Sequence, residues 1–485
     1  MLLLALILLP VVAGGVAYVL PVTARRMLLM ATAVVHLALT LLLWIAPGAT
    51  AFNGWLADDA LGRLVLTLVS VLFVLIAQYA VGYLRDTDPR GGRAFTSCML
   101  GFLAATSLVS VSHHFALLWI GMETTTLTVA PLIFNRDDRR SLEAVWKYLV
   151  LSSVAIAFAL LGVFFLAAAQ PSGAAGGRPL VLEDMIAHAA ALDPVWLRAA
   201  FVFMLIGFGT KMGLAPLHAW KPDTYGEAPS LVSGLMAGAL TSCAFLGLAR
   251  VLEVCVAAGP GVAAFARPPL IAFGMLSLAV AAAFMIGQSD VKRMLAYSSV
   301  EHMGLLALAL GLGGIGTYGA VLHVLNNGFA KALLFLAVGN VALEMGTSEA
   351  SRIRGLLRRV PASGALLVIG LFAVTGSPPF GMFVSEFTII SAAIREHHVW
   401  LAVALVVLLA IIFVAIAAMI LEVVYAPSSS VEPPAPRSAR GRDRGWLVAA
   451  PATLAVLVLA LGLWIPRPLA EALSAAATVL GGQAP

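Results

Sequence analysis

The chain has 485 residues, of which 61% are hydrophobic and only 11% charged, with a mean hydropathy of +1.00 and a formal net charge of +5. A soluble globular domain carries about 25% charged residues, and no water-soluble fold could hide this much apolar surface. The composition excludes a soluble enzyme and predicts an all-α polytopic membrane protein, its basic balance set by loop placement rather than by nucleic acid.

About 20 apolar residues cross a bilayer as a helix. By that measure about 14 transmembrane spans follow one another, near 2–21, 27–46, 62–84, 95–112, 115–134, 143–169, 197–219, 230–255, 268–287, 293–313, 316–343, 363–394, 399–425 and 446–465. In the first, the basic residues Arg25 and Arg26 follow the apolar run, so it reads as a span and not as a cleaved signal peptide. A longer loop, 170–196, joins the sixth and seventh spans. The Pro/Ser/Arg-rich stretch SSSVEPPAPRSARGRDRG joins the last two as a surface linker. Cys98, Cys243 and Cys255 lie in or beside apolar runs without a C-x-x-C pair. They read as small buried hydrophobes and against an iron–sulfur cluster in this chain.

Two spans are interrupted. The seventh carries Gly207, Gly209, Gly213 and Pro216, then continues into LHAWKPDTYG; the twelfth contains TGSPPFG at 375–381. Such breaks survive in lipid only where protein or a watery cavity satisfies the freed backbone. They lie five spans apart, and each has a charged companion, Lys211 or Glu386. That predicts two inverted five-helix repeats. The expected organisation is N-terminal helices 1–3 over 1–94, a first repeat (helices 4–8) over 95–255, a second (helices 9–13) over 256–425, and a linker with helix 14 over 426–485.

Of the 29 Lys and Arg residues, nineteen fall in loops after odd-numbered spans, seven after even-numbered spans, and three (Lys147, Lys211, Lys331) within spans. The positive-inside rule then puts odd-numbered loops in the cytoplasm and both termini on the other side of a cell inner (plasma) membrane. Lys221 counts among the loop cations, and Asp290, Lys292 and Arg293 read as a solvated cap.

Charge inside the spans is costly, roughly 2.5–3.5 kcal/mol for each group at the bilayer centre, so the residues that bear it point to function. Glu123 lies mid-span, followed by Thr124, Thr125 and Thr126, which can hydrogen-bond it or carry water. Lys147, in the first turn of the sixth span, is its expected partner in sequence order. Lys211 sits at the break of the seventh span. His218, seven residues on, falls two helical turns away on the same face. His323, Asn327 and Lys331 are spaced i, i+4, i+8 and form one polar stripe. Histidine passes protons through either ring nitrogen, and Asn327 can hold water. Glu301 and His302 add an acid–imidazole pair, and Glu386 follows the second break. Acids and bases strung across a membrane domain are what proton conduction needs.

Three segments carry a resemblance: WIGMETTTL at 119–127, KMGLAPLHAWKPDTYGEAPSLVSGL at 211–235, and DVKRMLAYSSVEHMG through HVLNNGFAKALLFLAVGN at 290–340. They resemble the antiporter-like membrane subunits of complex I, Mrp cation/proton antiporters and membrane-bound [NiFe] hydrogenases, over roughly residues 60–425. SSVEHMG and VTGSPPFGMFVSEF look most like component F of hydrogenase-4. The resemblance assigns the family's helix-5 glutamate to Glu123, its helix-7 lysine to Lys211, its helix-11 histidine and lysine to His323 and Lys331, and its helix-12 terminal residue to Glu386. Two positions depart from it. Ser242 stands where many members carry a helix-8 lysine, and Asn327 where relatives have a second helix-11 histidine. Both can relay through water but neither stores a proton.

The resemblance implies a proton-conducting, non-redox subunit of a hydrogenase-4-like or complex I-like (NADH:quinone oxidoreductase-related) assembly. Such a chain binds no cofactor. Its partners are other integral membrane subunits and a peripheral redox arm carrying Ni-Fe and Fe-S centres or flavin. No metal motif and no Gly-rich nucleotide loop is present. The alternative is an Mrp-type cation/proton antiporter subunit. Sodium would want carboxylates and carbonyls away from lysines, so the mixed acids and lysines favour protons. A non-pumping scaffold would be signalled by loss of Glu123 and Lys211, and both are present.

Overall fold

A computed structural model of the chain describes residues 1–87, 92–134, 139–171, 179–426 and 445–483. Most of them are helical. The membrane segments are α1 (Leu2–Val19), α2 (Val22–Ile45), α3 (Ala60–Thr87), α4 (Arg93–Val111), α5 (Phe115–Ile133), α6 (Arg139–Ala168), α7 (Pro194–Met212), α8 (Ser230–Ala257), α9 (Pro260–Met285), α10 (Val291–Leu312), α11 (Gly314–Met345), α12 in two pieces (Pro361–Val374 and Gly381–Arg395), α13 (Val399–Tyr425) and α14 (Gly445–Leu463). The number of crossings agrees with the hydropathy reading. Most of the surface linker, 427–444, lies outside the described residues.

The bundle is layered by lipid exposure. The apolar stretches of α8, α10 and α11 are buried inside the bundle, whereas most of that of α13 is not. The outer helices turn Trp146, Phe164, Val403 and Val414 outward, as lipid requires of a face with no protein partner. Polar side chains on α10 and α11 therefore have protein on every side. Close crossings depend on small residues. A Cβ on Gly274 of α9 would stand 2.7 Å from the Gly304 carbonyl oxygen of α10, so nothing larger fits there.

Both expected breaks are present. α7 begins at the N-cap Asp193, whose carboxylate accepts from the amides of Val195 and Trp196. It ends at Gly213 in the left-handed conformation, φ +83°. A non-helical stretch follows, then the short helix Trp220–Glu227. The backbone freed by the break is answered inside the protein: Trp220 Nε1 donates to the Thr210 carbonyl, Lys221 Nζ to that of Met212, and the Ala215 amide to Ser277 Oγ. In α12 the helix stops at Val374, turns through Gly376 (φ +62°) and restarts at Gly381.

Several elements have no counterpart in the hydropathy reading. Short helices stand at Leu182–Ala187 and Leu356–Arg359, and a terminal one at Arg467–Val479. Thr50–Ala51 pairs antiparallel with Leu56–Ala57. Isolated bridges Leu56–Ser112 and His114–Val181 tie that hairpin, the α4–α5 turn and the α6–α7 connection together on the face where α1 begins. The hydrophobic pattern signals spans, and these are too short to show in it.

Candidate functional site

The site is two Lys–hydroxyl–Glu groups and a histidine relay, the second group and the relay wholly inside the helical core and the first reaching a half-buried Glu123. In the first group, Lys211 is fully buried at the last turn of α7. Its ammonium donates to Thr126 Oγ1 at 2.6 Å, and Thr126 Oγ1 donates to Glu123 Oε2 at 3.2 Å. One hydroxyl thus accepts from the base and donates to the acid. Glu123 Oε1 accepts from Ser153 Oγ of α6 at 3.2 Å. The ring of Tyr148 faces the ammonium, its centroid 5.2 Å from Lys211 Nζ, a cation–π contact that steadies the charge without neutralising it.

The second group repeats this chemistry on α10 and α11. Lys331 Nζ donates to Ser298 Oγ at 2.6 Å, and Ser298 Oγ donates to Glu301 Oε2 at 3.1 Å. In both groups the hydroxyl residue lies one helical turn from its glutamate, three residues after it in one case and three before it in the other.

The histidine relay continues from the second group. His302 Nε2 lies 3.9 Å from Glu301 Oε2. His302 Nδ1 and His323 Nε2 are 3.1 Å apart, and His323 Nδ1 and Ser385 Oγ 2.9 Å. Ser385 spends its proton on the Met382 carbonyl. His323 Nδ1 must then donate to Ser385, which makes His323 Nε2 the acceptor of the His302 Nδ1 proton. His302 Nε2, buried and without a hydrogen-bond partner, is left with its lone pair toward Glu301. That tautomer assignment follows from the donor count. Glu386 completes the cluster. Its buried Oε1 makes no hydrogen bond, its other oxygen packs where a Cβ of Gly376 would stand, and it has a donor atom within 4.8 Å of those of both histidines. Three such donors could hold a divalent ion, but both nitrogens of His323 are already bonded, one to His302 and one to Ser385, so the arrangement fits proton transfer better.

The chain's kinship is decided by a family model, described as NADH:quinone oxidoreductase/Mrp antiporter, TM, that matches residues 112–412. The chain belongs to this family. It is 35% identical over 318 residues to the hydrogenase-4 component F homolog of Methylacidiphilum infernorum, covering 65% of this chain and 66% of that protein, just under two thirds of the relative's length. It is 30% identical over 461 residues to NADH-quinone oxidoreductase subunit N of Desulforudis audaxviator, covering 92% of this chain and 88% of that one. Its fold matches a chain of the membrane-bound sulfane sulfur reductase, an archaeal respiratory membrane complex, with TM-score 0.87 at 23% identity over 99% and 98% of the two chains. The chain is thus an antiporter-like, multi-pass membrane subunit.

Several residues stand elsewhere than the sequence suggests. Lys147 does not meet Glu123. α6 begins at Arg139, so Lys147 lies in its third turn, and its ammonium pairs with Asp223 at 2.7 Å and Glu143 at 2.8 Å. Glu123 meets α6 six residues further on, at Ser153, about 9 Å along the axis. His218 does not share a helical face with Lys211, because the helix ends at Met212; it sits half-buried, 6.2 Å from the Tyr297 ring. Lys221 is no loop cation but a buried donor to the broken end of α7. Lys292 is likewise buried, donating to the Gly226 and Ala228 carbonyls, and Arg250 is buried on α8. None of these reverses the loop asymmetry.

His323 and Lys331 share a stripe as expected but belong to different groups. Asn327, between them, has both amide ends buried without a protein partner, the situation that ordered water resolves in native interiors. Ser242 is buried and donates to Gly238 within a π-helical turn, Met236–Leu240. That turn, where Gly238 packs on Gly328 of α11, is a feature often found at functional sites. Ser298 and Ser385 are site residues that sequence reasoning passes over. Ser298 shares the one-turn spacing that ties Thr126 to Glu123, but that spacing gains meaning only once Lys331 is seen beside it.

Proposed function

We propose that this chain is the proton-conducting membrane subunit of a hydrogenase-4-like or complex I-like redox assembly, residing in the cell inner membrane with both termini on the non-cytoplasmic side. The observation that carries the reading is the pair of Lys–hydroxyl–Glu groups, each built on a fully buried lysine. In each, a proton passes from ammonium to hydroxyl while the hydroxyl proton passes to the carboxylate. Lys⁺/Glu⁻ and Lys⁰/GluH carry the same net charge. In a low-dielectric interior the ion pair loses much of its advantage to desolvation, so the two states lie close enough in energy to exchange.

A proton arriving at Glu301 passes to His302 Nε2, from His302 Nδ1 to His323 Nε2, and from there toward Glu386 in its cradle at the α12 break. Lys211, Glu123, Lys331, His323 and Glu386 hold the proton; Thr126, Ser298 and Ser385 orient it. Ser242 and Asn327 serve the central link through water, on either side of the Gly238–Gly328 crossing. The N-terminal and C-terminal halves of the path correspond to two inverted repeats over 95–255 and 256–425. His218 and Lys147 are set outside the path. Redox centres, Ni-Fe and Fe-S or flavin, belong to partner subunits of a peripheral arm. An Mrp-like exchange of sodium is less well supported, since the buried ammonium groups of Lys211 and Lys331 occupy places where sodium would need oxygen ligands alone.

The test is proton translocation by the assembled complex in sealed vesicles. Glu123→Gln and Lys211→Ala should each abolish it while the complex still assembles. Normal translocation in both would overturn the reading.

A further inference from the structure

On the face where α1 begins, five ionisable side chains outside the path just described form a second cluster, which runs from the buried Arg250, Glu253 and His113 out to the exposed Glu183. Asp59 immediately precedes α3, His113 lies in the α4–α5 turn, Glu183 in the short helix Leu182–Ala187, and Arg250 and Glu253 on α8. Arg250 donates to both oxygens of Asp59, at 2.9 and 2.5 Å. His113 Nδ1 stands 2.7 Å from Glu183 Oε1. His113 Nε2 stands 3.2 Å from Asp59 Oδ1 and 3.2 Å from Arg250 Nη2. Glu253 Oε2, buried and without a hydrogen bond, is 3.7 Å from Arg250 Nη1.

Two features go beyond a static ion-pair clasp. First, His113 has a partner ready for either protonation state. Neutral, with its proton on Nδ1, it donates to Glu183 and accepts at Nε2 from Arg250. Protonated, it keeps Glu183 and donates from Nε2 to Asp59. Second, the charges are unbalanced. One permanent cation faces three carboxylates, so neutrality calls for two protons, and His113 and Glu253 are the groups placed to take them. Exposure is graded as well: the Glu183 side chain is 56% exposed, Asp59 26%, Glu253 9%, His113 4% and Arg250 2%. A buried ion network is a poor source of stability compared with apolar packing, which leaves its presence here to be explained by use.

The cluster also continues inward. Ser242 and Arg250 are eight residues apart on α8, about 12 Å along one face. α4 lines the interval: the Thr106 carbonyl accepts from Ser110 Oγ at 2.8 Å and faces Cys243 Sγ at 3.8 Å. Gly62, having no side chain, lets the Ser110 carbonyl, Asp59 and Arg250 converge, since a Cβ there would stand 2.7 Å from Asp59 Oδ1 and 3.1 Å from Arg250 Nη2.

We infer that Glu253, Arg250, Asp59, His113 and Glu183 form a proton-exchange station that connects the N-terminal half of the path to the aqueous phase on the face of the N-terminus. This rests on the proton-translocation reading above. A proton reaching the cluster from Glu253 adds to His113 Nε2, which releases Arg250 and bonds Asp59. The Nδ1 proton passes to the Glu183 carboxylate and from there to water. Burial and then Arg250 work against the charged imidazole, but the hydrogen bonds of Asp59 and Glu183 outweigh them and hold the His113 pKa above its ordinary value. The adjacent His114 does not face this ring; it packs on Trp55, with centroids 4.3 Å apart.

The experiment is translocation by the assembled complex in sealed vesicles of both orientations, with pH varied only on the side of the N-terminus. His113→Gln and Glu253→Gln should each slow translocation at least about tenfold and remove its dependence on that pH. Glu253→Gln should also delete a protonated-carboxyl infrared band that responds to it. Lys211→Ala, the control for the path, should be inactive at every pH. Wild-type rates and an unchanged pH profile in both cluster variants, with Lys211→Ala inactive, would make the cluster a structural clasp and overturn the inference alone. Normal translocation in Lys211→Ala and Glu123→Gln alike would overturn both readings. Should His113→Gln fail to assemble, Glu183→Gln at the solvent rim must shift the same pH profile, and an unshifted profile overturns the inference.

Discussion

Thr126 is the narrowest point of the first Lys–hydroxyl–Glu group. Its hydroxyl accepts from Lys211 at 2.6 Å and donates to Glu123 at 3.2 Å. Thr126→Val keeps the shape of the side chain and removes both bonds. A hydrogen bond to a charged group contributes about 1.5–3 kcal/mol. If that is what the hydroxyl contributes to the transfer step, translocation falls about 10- to 100-fold. Thr126→Ser retains the hydroxyl and should stay within about threefold of the unaltered protein. Because Tyr148 still faces the ammonium, the lysine stays in place in either variant and assembly is preserved. The assay is the initial rate of vesicle acidification divided by the rate of electron transfer, so that a loss of coupling is separated from a loss of complex. Translocation in Thr126→Val within about threefold of normal would refute the relay, as would a Thr126→Ser variant equally impaired.

Ser298→Ala removes the corresponding hydroxyl between Lys331 and Glu301 and should slow translocation by about tenfold or more, read in the same vesicle assay. His302→Gln breaks the step to His323 and should be impaired to a similar degree, with His302→Asn no better, since neither amide titrates. Lys147→Gln loses only its two pairs, with Asp223 and Glu143, at a 41% exposed side chain. Such pairs contribute about 0–1 kcal/mol, so translocation and melting temperature should be nearly unchanged, and a pumping defect would restore Lys147 to the path. The His113 pKa is raised in the folded chain. The stabilisation it brings is therefore complete below its unfolded value, about 6.5, and is lost as pH rises through the folded value. Thermal stability of the purified protein should decline over that rise, and His113→Gln should flatten the decline.

How far the site is legible from sequence varies by residue. Lys211, Glu123, His323, Lys331 and Glu386 stand out because a charge or imidazole in an apolar run has few innocent explanations. Partners are harder to read. Lys147 looks close to Glu123 in chain order, yet helix register places Ser153 there instead. His218 looks in phase with Lys211 only while the helix is assumed to continue; the left-handed Gly213 ends it, and the phase with it. Lys221, Lys292 and Arg250 pass for ordinary loop cations, because only packing reveals that each donates to carbonyls or carboxylates in the interior. Ser298 and Ser385 carry no charge, and a serine in a helix has too many uses to be singled out without its neighbours.

The sequence by itself determined the membrane class, the number of crossings, the two breaks and the set of costly polar groups. Each of these is local: a run length, a glycine–proline interruption, or a charge where lipid penalises it. Only the tertiary structure decided who speaks to whom. The two hydroxyl bridges to Lys211 and Lys331, the His302–His323 contact, the Gly238–Gly328 crossing beside Ser242 and the Arg250 cluster all join residues from different helices. Their existence depends on how each helix is rotated against its neighbours, which is set by side-chain packing and by small-residue crossings such as Gly274–Gly304 and Gly238–Gly328, not by the pattern of any single helix.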